Sequence, residues 1–372
     1  MWNLPDAVSQ RFPLVARPRP ACLPLPRRVH DLLEVAGDAA KLKDPIKASA
    51  VYNQAALIAS DVGQQDTARA ICHQHAAAYL HAAPLAGRTA IRALEPAVNL
   101  ARIQIRAGQA AEGHQLLLML FDAVSTESPA HVEDITVPAS LTATAEDRHE
   151  VRAWLWSVLL ADGTRALTST GRWAEALTHV EMHRGVGRRM FDGRQVAVLA
   201  ALTSGNTLSG RRLLADTAPG EPWEKAVTDS LTVLCRRLSG RPWRRILQDL
   251  VTAFLQHPDQ DGMAVFNTRL GLALLDSIDS AEDPVARLVV AELHRRAMRT
   301  TDGYAAREAL THPLFAALAT DQEAEECSGL LRDCALEAGT FPEELNDQLA
   351  AALRTSDRVI RRSLNTGAGS CR

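Results

Sequence analysis

Residues Thr168 to Met182, TSTGRWAEALTHVEM, decide the fold. Gly171 separates two helix-favouring segments; a small residue, Ala176, follows five positions later, and an apolar one, Val180, nine positions later. A glycine at a helix end accepts the left-handed backbone that a Cβ penalises, so a second helix can fold back at once. The small residue lets the two helices approach closely. The apolar residue a turn later falls on the same face and fills the seam. This stretch predicts an antiparallel helix pair.

Outward from it, the same triplet recurs as Gly63/Ala68/Cys72, Gly108/Gly113/Leu117 and Gly205/Gly210/Leu214. Glycines at 63, 108, 171, 205, 240, 303 and 339 each follow one helical pattern and precede another, at separations of 45, 63, 34, 35, 63 and 36 residues. Two intervals close to 34, one of 36, and two of 63, nearly twice 31, are the signature of a helix-pair repeat with two degenerate members. Apolar residues return every third or fourth position throughout, as at Ala50, Val51, Ala55, Leu57 and Ile58. Strand alternation is almost absent; its best candidate, Asp134 to Leu141, is interrupted by Pro138.

Composition agrees. Of 372 residues 47% are hydrophobic but only 4% aromatic, so the core is built from Ala, Leu and Val, which suits closely packed helices. Lysine occurs only at 41, 43, 47 and 225, so nearly all the basic residues are arginine, a coding bias of GC-rich genomes rather than a functional signal. A net charge of −3 argues against direct nucleic-acid binding, which needs a basic domain or stripe. Six scattered cysteines without a CxxC pair predict a reducing compartment. No apolar run approaches the roughly 20 residues that span a bilayer, and the first 30 residues, with six prolines, lack the apolar core of a secretory signal. A cytoplasmic protein without membrane contact is expected. Residues 1–26 read as a loosely attached Pro-rich arm, 27–354 as a repeat array of about sixteen helices with a long loop over 126–144, and 355–372 as a C-terminal tail.

Thr168 to Met182 resembles a unit of the tetratricopeptide repeat family, with Gly171, Ala176 and Val180 on its glycine, alanine and large apolar positions. Ala56 to His75 (ALIASDVGQQDTARAICHQH) resembles another. The resemblance spans roughly Arg27 to Arg354, although the family's early Trp, Leu and Gly and its terminal Pro are mostly missing. The whole chain is also similar to tetratricopeptide-like proteins of high-GC Gram-positive bacteria, some of them fused to or encoded near helix-turn-helix regulators. The resemblance implies an all-α fold, a right-handed α-solenoid of antiparallel helix pairs, with a concave groove for a peptide or partner-protein segment.

Counting back from the turn glycines to the family's groove-facing positions gives Ala50, Asn53, Gln54, Leu57, Ser60 and Asp61 before Gly63. Before Gly108 it gives Glu95, Val98, Asn99, Arg102, Ile105 and Arg106, and before Gly171 it gives Val158, Ala161, Asp162, Arg165, Thr168 and Ser169. Asn53, Gln54, Asn99, Arg102, Arg106, Asp162 and Arg165 are therefore the candidate groove residues. Side-chain amides can donate to and accept from an extended backbone, and Arg can clasp a carboxylate or phosphate bidentately. The competing reading is a set of ordinary solvated helix faces.

The turn His183 to Arg189 (HRGVGRR) brings Arg184, Arg188 and Arg189 to a helix start, where free N–H groups attract anions, but it lacks the strand and Lys of a nucleotide loop. Cys72, His73, His75 and His81 crowd one helix without the second cluster a structural zinc site needs, so no metal is assigned. Asp259 and Asp261 read as caps of a following helix, Cys327 and Cys334 as core thiols, and Trp154, Trp156, Trp173 and Trp223 as packing residues. No catalytic set can be assembled from neighbours in sequence, and no cofactor is implied. The leading expectation is a non-enzymatic adaptor or regulatory protein that binds a protein or peptide partner. The alternative is an accessory or catalytic component of a biosynthetic pathway holding a small anion, and a third reading is a homo-oligomerising scaffold.

Overall fold

The computed structural model describes residues 4–367; residues 1–3 of the expected arm and 368–372 of the expected tail, Cys371 included, lie outside them. After a single turn, α1 (Asp6–Ser9), come α2 (Leu25–Leu42), α3 (Pro45–Val62), α4 (Gln65–Leu80), α5 (Gly87–Arg106) and α6 (Ala110–Thr126). A hairpin of β1 (Ala130–Val132) and β2 (Ile135–Val137) leads to α7 (Ala145–Val158), which runs through a π turn (Leu159–Gly163) into α8 (Thr164–Thr168). Then follow α9 (Trp173–Met182), α10 (Asp192–Thr203), α11 (Thr207–Ala215), α12 (Pro222–Leu238), α13 (Arg244–Gln256) and α14 (Ala264–Leu275). The chain closes with α15 (Pro284–Thr300), α16 (Gly303–Leu310), α17 (Pro313–Leu318), α18 (Asp321–Asp333) and α19 (Glu343–Gly367). The fold is all-α, and sequential helices pack in pairs as in a solenoid. No described helix is long and apolar enough to cross a membrane.

The expected continuous array is divided into two compact units. The first holds Leu25–Ala166 and the described residues from Ala335 onward; the second holds the described residues up to Pro24 and Leu167–Cys334. In the first unit α2 to α7 stack in order around Leu32, Val51, Leu94, Leu100, Leu117, Leu120 and Leu155. Alanines 55, 59, 68, 76, 90, 97 and 101 are buried in the same core, so small residues set the helix spacing. A Cβ on Gly113 would stand 2.6 Å from Ile105 Cγ1 and 2.7 Å from the Ala101 carbonyl, which shows how closely α6 approaches α5.

Residues 355–367, expected as a tail, form the second half of α19. Leu349, Ala352, Leu353, Val359 and Ile360 are buried, and α19 lies against α2 and α3. The returning chain also satisfies the last carbonyls of α3, which have no partner within their own helix. Glu337 N–H donates to Asp61 O and Gly339 N–H to Val62 O, each at 2.7 Å. Next to them the Arg28 guanidinium holds the Asp61 carboxylate at 2.6 Å, both side chains almost fully buried.

Six of the seven turn glycines have positive φ, as expected; Gly63, at 92°, ends α3. Gly303 departs from the pattern. It is the first residue of α16, behind the capping carboxylate of Asp302, and Thr301 at φ 46° takes the left-handed position instead. The expected loop over 126–144 contains the hairpin, with Ala130 opposite Val137 and Val132 opposite Ile135. Those four side chains are buried. At its tip Glu133 pairs with Arg69 and His73 of α4.

In the second unit α9 to α18 continue the pairwise stacking. The expected arm is not loose: Val8, Ser9, Phe12, Leu14 and Cys22 are buried, and Trp173 Nε1 donates to Ser9 Oγ at 3.3 Å. Asp259 caps no helix; it pairs with Arg295, Arg296 and Arg299, and α14 starts behind Met263.

Candidate functional site

Four helical segments of the first unit carry the groove candidates, with Gln54 on α3, Arg106 on α5 and Arg165 on α8. Asn53 lies on α3, Asn99 and Arg102 one turn apart on α5, and Asp162 in the π turn. Asn53 Nδ2 donates to Glu95 Oε2 at 2.7 Å, and Asn53 Oδ1 accepts from Asn99 Nδ2 at 2.9 Å. Asn99 Oδ1 in turn accepts from Arg102 NH1 at 3.0 Å, and Arg102 NH2 reaches Asp162 Oδ2 at 2.7 Å. The result is one continuous hydrogen-bonded row across α5, with an anion, Glu95, at one end and the Arg102–Asp162 pair at the other.

The charges at the two ends orient both amides. A carboxylate can only accept and a guanidinium can only donate, so each Asn must aim its Nδ2 towards Glu95 and its Oδ1 towards Arg102. Burial pushes the Glu95 carboxyl above the ordinary range, while the Asn53 hydrogen bond and the nearby Arg92 and Arg102 pull it back. Each Nδ2 keeps a second hydrogen for another acceptor. Arg102 is about half exposed, and Arg106, a turn further along α5, is exposed and makes no ion pair among the described residues. Gln54 and Arg165 are half-buried beside this row in sequence. The other counted positions separate by burial: Ser60, Asp61, Val98, Val158 and Thr168 belong to the interior. Glu95 fell on a counted position but was not among the candidates; its part in the row comes from the hydrogen bond to Asn53, 42 residues away in sequence.

The arginines of the HRGVGRR turn do not converge. Arg189 donates through Nε to Glu224 Oε2 at 2.8 Å, and Glu224, 2% exposed, also accepts from Met190 N–H while closing the capping box of α12. A buried carboxylate of this kind already neutralises Arg189. Arg184 and Arg188 are exposed and make no ion pair among the described residues. α10 also begins with an acid, Asp192, and a Cβ on Gly193 would meet the Gly185 carbonyl at 2.2 Å, so little room is left at this helix start.

The Cys/His cluster of α4 likewise points apart. Cys72 is buried, and that burial pushes its thiol up to about 12. His73 pairs with Glu133 at 3.0 Å, and His81 Nδ1 meets the Ala77 carbonyl at 3.1 Å. His75 stacks on the Tyr52 ring at 4.8 Å and meets Tyr79 edge-on. Burial lowers the His75 pKa to about 3. Among the described residues no group of three or more His, Cys, Asp or Glu is placed to hold a metal ion.

No known protein family matches the sequence, and no curated protein does. One solved structure to which the chain is similar is described as a circular tandem repeat protein with novel repeat topology and enhanced subunit contact surfaces. It is 16% identical over 91% of each chain, at a TM-score of 0.16. At that level the likeness carries no argument, and the assignment of a helical repeat fold rests on the helices and their pairing.

Proposed function

We propose that this protein is a non-enzymatic adaptor that binds an extended peptide or partner-protein segment along α3 and α5 of its first unit. The supporting observation is the oriented row from Glu95 through Asn53 and Asn99 to Arg102. Its amides are held in one direction by charged ends, leaving a second N–H on each, one amide on α3 and the other on α5, with Arg106 one turn beyond Arg102 on α5. Such a face suits the carbonyls of an extended chain, with an acidic side chain or C-terminus meeting Arg106, which makes no ion pair among the described residues, rather than Arg102, which Asp162 already matches. A small-anion function is less well supported, because Arg189 is already matched by Glu224.

A library of acidic peptides tested by thermal shift and calorimetry checks the reading. The expected outcome is stabilisation of the protein by a subset of peptides, since anything that binds only the folded state raises its melting temperature. The triple substitution Asn99→Ala, Arg102→Ala, Arg106→Ala should weaken that binding by about a hundredfold, on the scale of two lost charge-assisted hydrogen bonds. Binding that survives the triple substitution, or stabilisation by phosphorylated metabolites and by no peptide, overturns it.

A further inference from the structure

Within the first unit an open trench of about 780 Å³ lies between α4 and α19, with Tyr52 of α3 at its base. Its existence follows from side-chain size. Ala70 and Ala77 stand on the α4 wall and Ala350 on the α19 wall, where larger apolar residues would close the seam. Tyr52, Ile71, Leu349 and Leu353 form the floor, and each is itself buried, so the base is packed and apolar. The Tyr52 ring is held in place by His75, stacked on it at 4.8 Å.

Polarity changes along the trench. Every residue that α4 contributes to it is uncharged, and so is the α19 wall from Asn346 to Leu353, a stretch of about 10 Å at 1.5 Å per residue. Beyond Leu353 the α19 wall carries Arg354, Arg358 and Arg361, which at i, i+4 and i+7 share one helix face. Asp357 is the one acid of the lining, and it is already engaged: Arg361 Nε donates to it at 2.8 Å, and the buried Tyr52 phenol faces it. Arg354 and Arg358 are exposed and make no ion pair among the described residues; Arg358 reaches the Thr355 hydroxyl at 3.3 Å. Two guanidinium groups one turn apart repel each other, and no carboxylate of the trench relieves them. In a chain of net charge −3, this end of the trench is positive.

We propose that the trench binds an amphipathic organic anion, a carboxylate carrying a flexible apolar chain, with its head between Arg354 and Arg358 and its chain over Leu353 and Leu349 towards Asn346. Guanidinium groups match a carboxylate in charge and in geometry. The chain leaves water for the apolar floor. The volume falls in the range of small-molecule sites, about 300–1,000 Å³. Charge confined to one end suits a molecule charged at one end, whereas an acidic protein segment carries its charges along its length. An inorganic anion leaves the floor uncovered, and a neutral chain leaves both arginines unmatched. The trench shares no residue with the row on α5, so the two proposals stand or fall separately.

Calorimetry on the full chain with decanoate, decan-1-ol and inorganic phosphate tests the proposal. Decanoate should bind once per chain, about tenfold or more tighter than decan-1-ol and than phosphate, on the scale of a charge-assisted hydrogen bond. Arg354→Ala with Arg358→Ala alters two exposed positions and should keep the circular dichroism while lowering decanoate affinity to that of decan-1-ol. Ala350→Trp fills the trench and should abolish binding of both. The triple substitution Asn99→Ala, Arg102→Ala, Arg106→Ala should change none of these values. Absence of saturable decanoate binding, several equivalents per chain, or an affinity indifferent to loss of both arginines overturns the proposal. Phosphate binding as tightly as decanoate does so too, since the floor would then play no part. An acidic peptide that binds more tightly than decanoate and loses its affinity with the same two arginines makes the trench a protein-docking surface and likewise overturns it. Should Ala350→Trp not fold, the three ligands compared on the unaltered chain and on the double variant still decide the matter.

Discussion

At the scale of single residues, burial decides which polar groups are free to act. His75 is enclosed between Tyr52 and Tyr79 and held neutral, with its pKa lowered to about 3. In the unfolded chain it takes up a proton below its ordinary 6.5. Between those values the unfolded state binds the extra proton, so stability rises with pH and is lost as pH falls below 6.5 towards 3. The loss expected on going to a pH of about 5 is roughly 2 kcal/mol. Urea unfolding of the unaltered protein and of His75→Phe checks it: the substitution should remove most of that slope, and an unchanged slope would show that other groups produce it. Burial also explains what could be read of the candidate site. Asn53, Asn99, Arg102 and Asp162 were legible because counting back from a turn glycine selects one helix face. That count cannot tell an exposed position from a covered one, so it also gathered Ser60, Asp61, Val98 and Val158, and the Arg189 partner Glu224, 35 residues away in sequence, gave no local sign.

At the scale of elements, small residues govern how closely helices pair. Alanine is the better helix former by about 1 kcal/mol, so the outcome of Gly→Ala depends on the space beside the glycine. Gly37 of α2 is exposed with nothing within 4 Å of a built Cβ, and Gly37→Ala should stabilise the protein by about 0.5–1 kcal/mol. Gly113 faces the Ala101 carbonyl, which cannot move aside, and Gly113→Ala should destabilise by about 1–3 kcal/mol in the same urea measurement. Equal signs for the two would mean that propensity, not the α5–α6 approach, sets the value. The helix pairs were legible because a 3.6-residue period is sampled over many residues. The hairpin was not: each strand has only three residues, and its alternation is broken by a two-residue turn at Glu133 and Asp134. Its strands are stabilised by contact with α4 and α6 rather than by their own pattern.

At the scale of the whole molecule, the chain leaves the first unit near Ala166 and re-enters it at Ala335. The apolar positions of α19 face α2 and α3, whose residues precede them by some 300 positions. Ile360, fully buried there, gives a direct test: Ile360→Ala should cost about 2–5 kcal/mol in urea unfolding, the range for an emptied core site. A change within about 0.5 kcal/mol would return residues 355–367 to the status of a tail. By itself the sequence determined the helix class, the glycine turns and the helix face on which the Asn and Arg candidates lie, because each depends on neighbours within about ten residues and on backbone preferences that act locally. Tertiary structure alone decided the division into two units, the docking of residues 4–24 and 335–367, and which candidates stay exposed. Those outcomes depend on burial and charge pairing between residues hundreds of positions apart, and no local period records them.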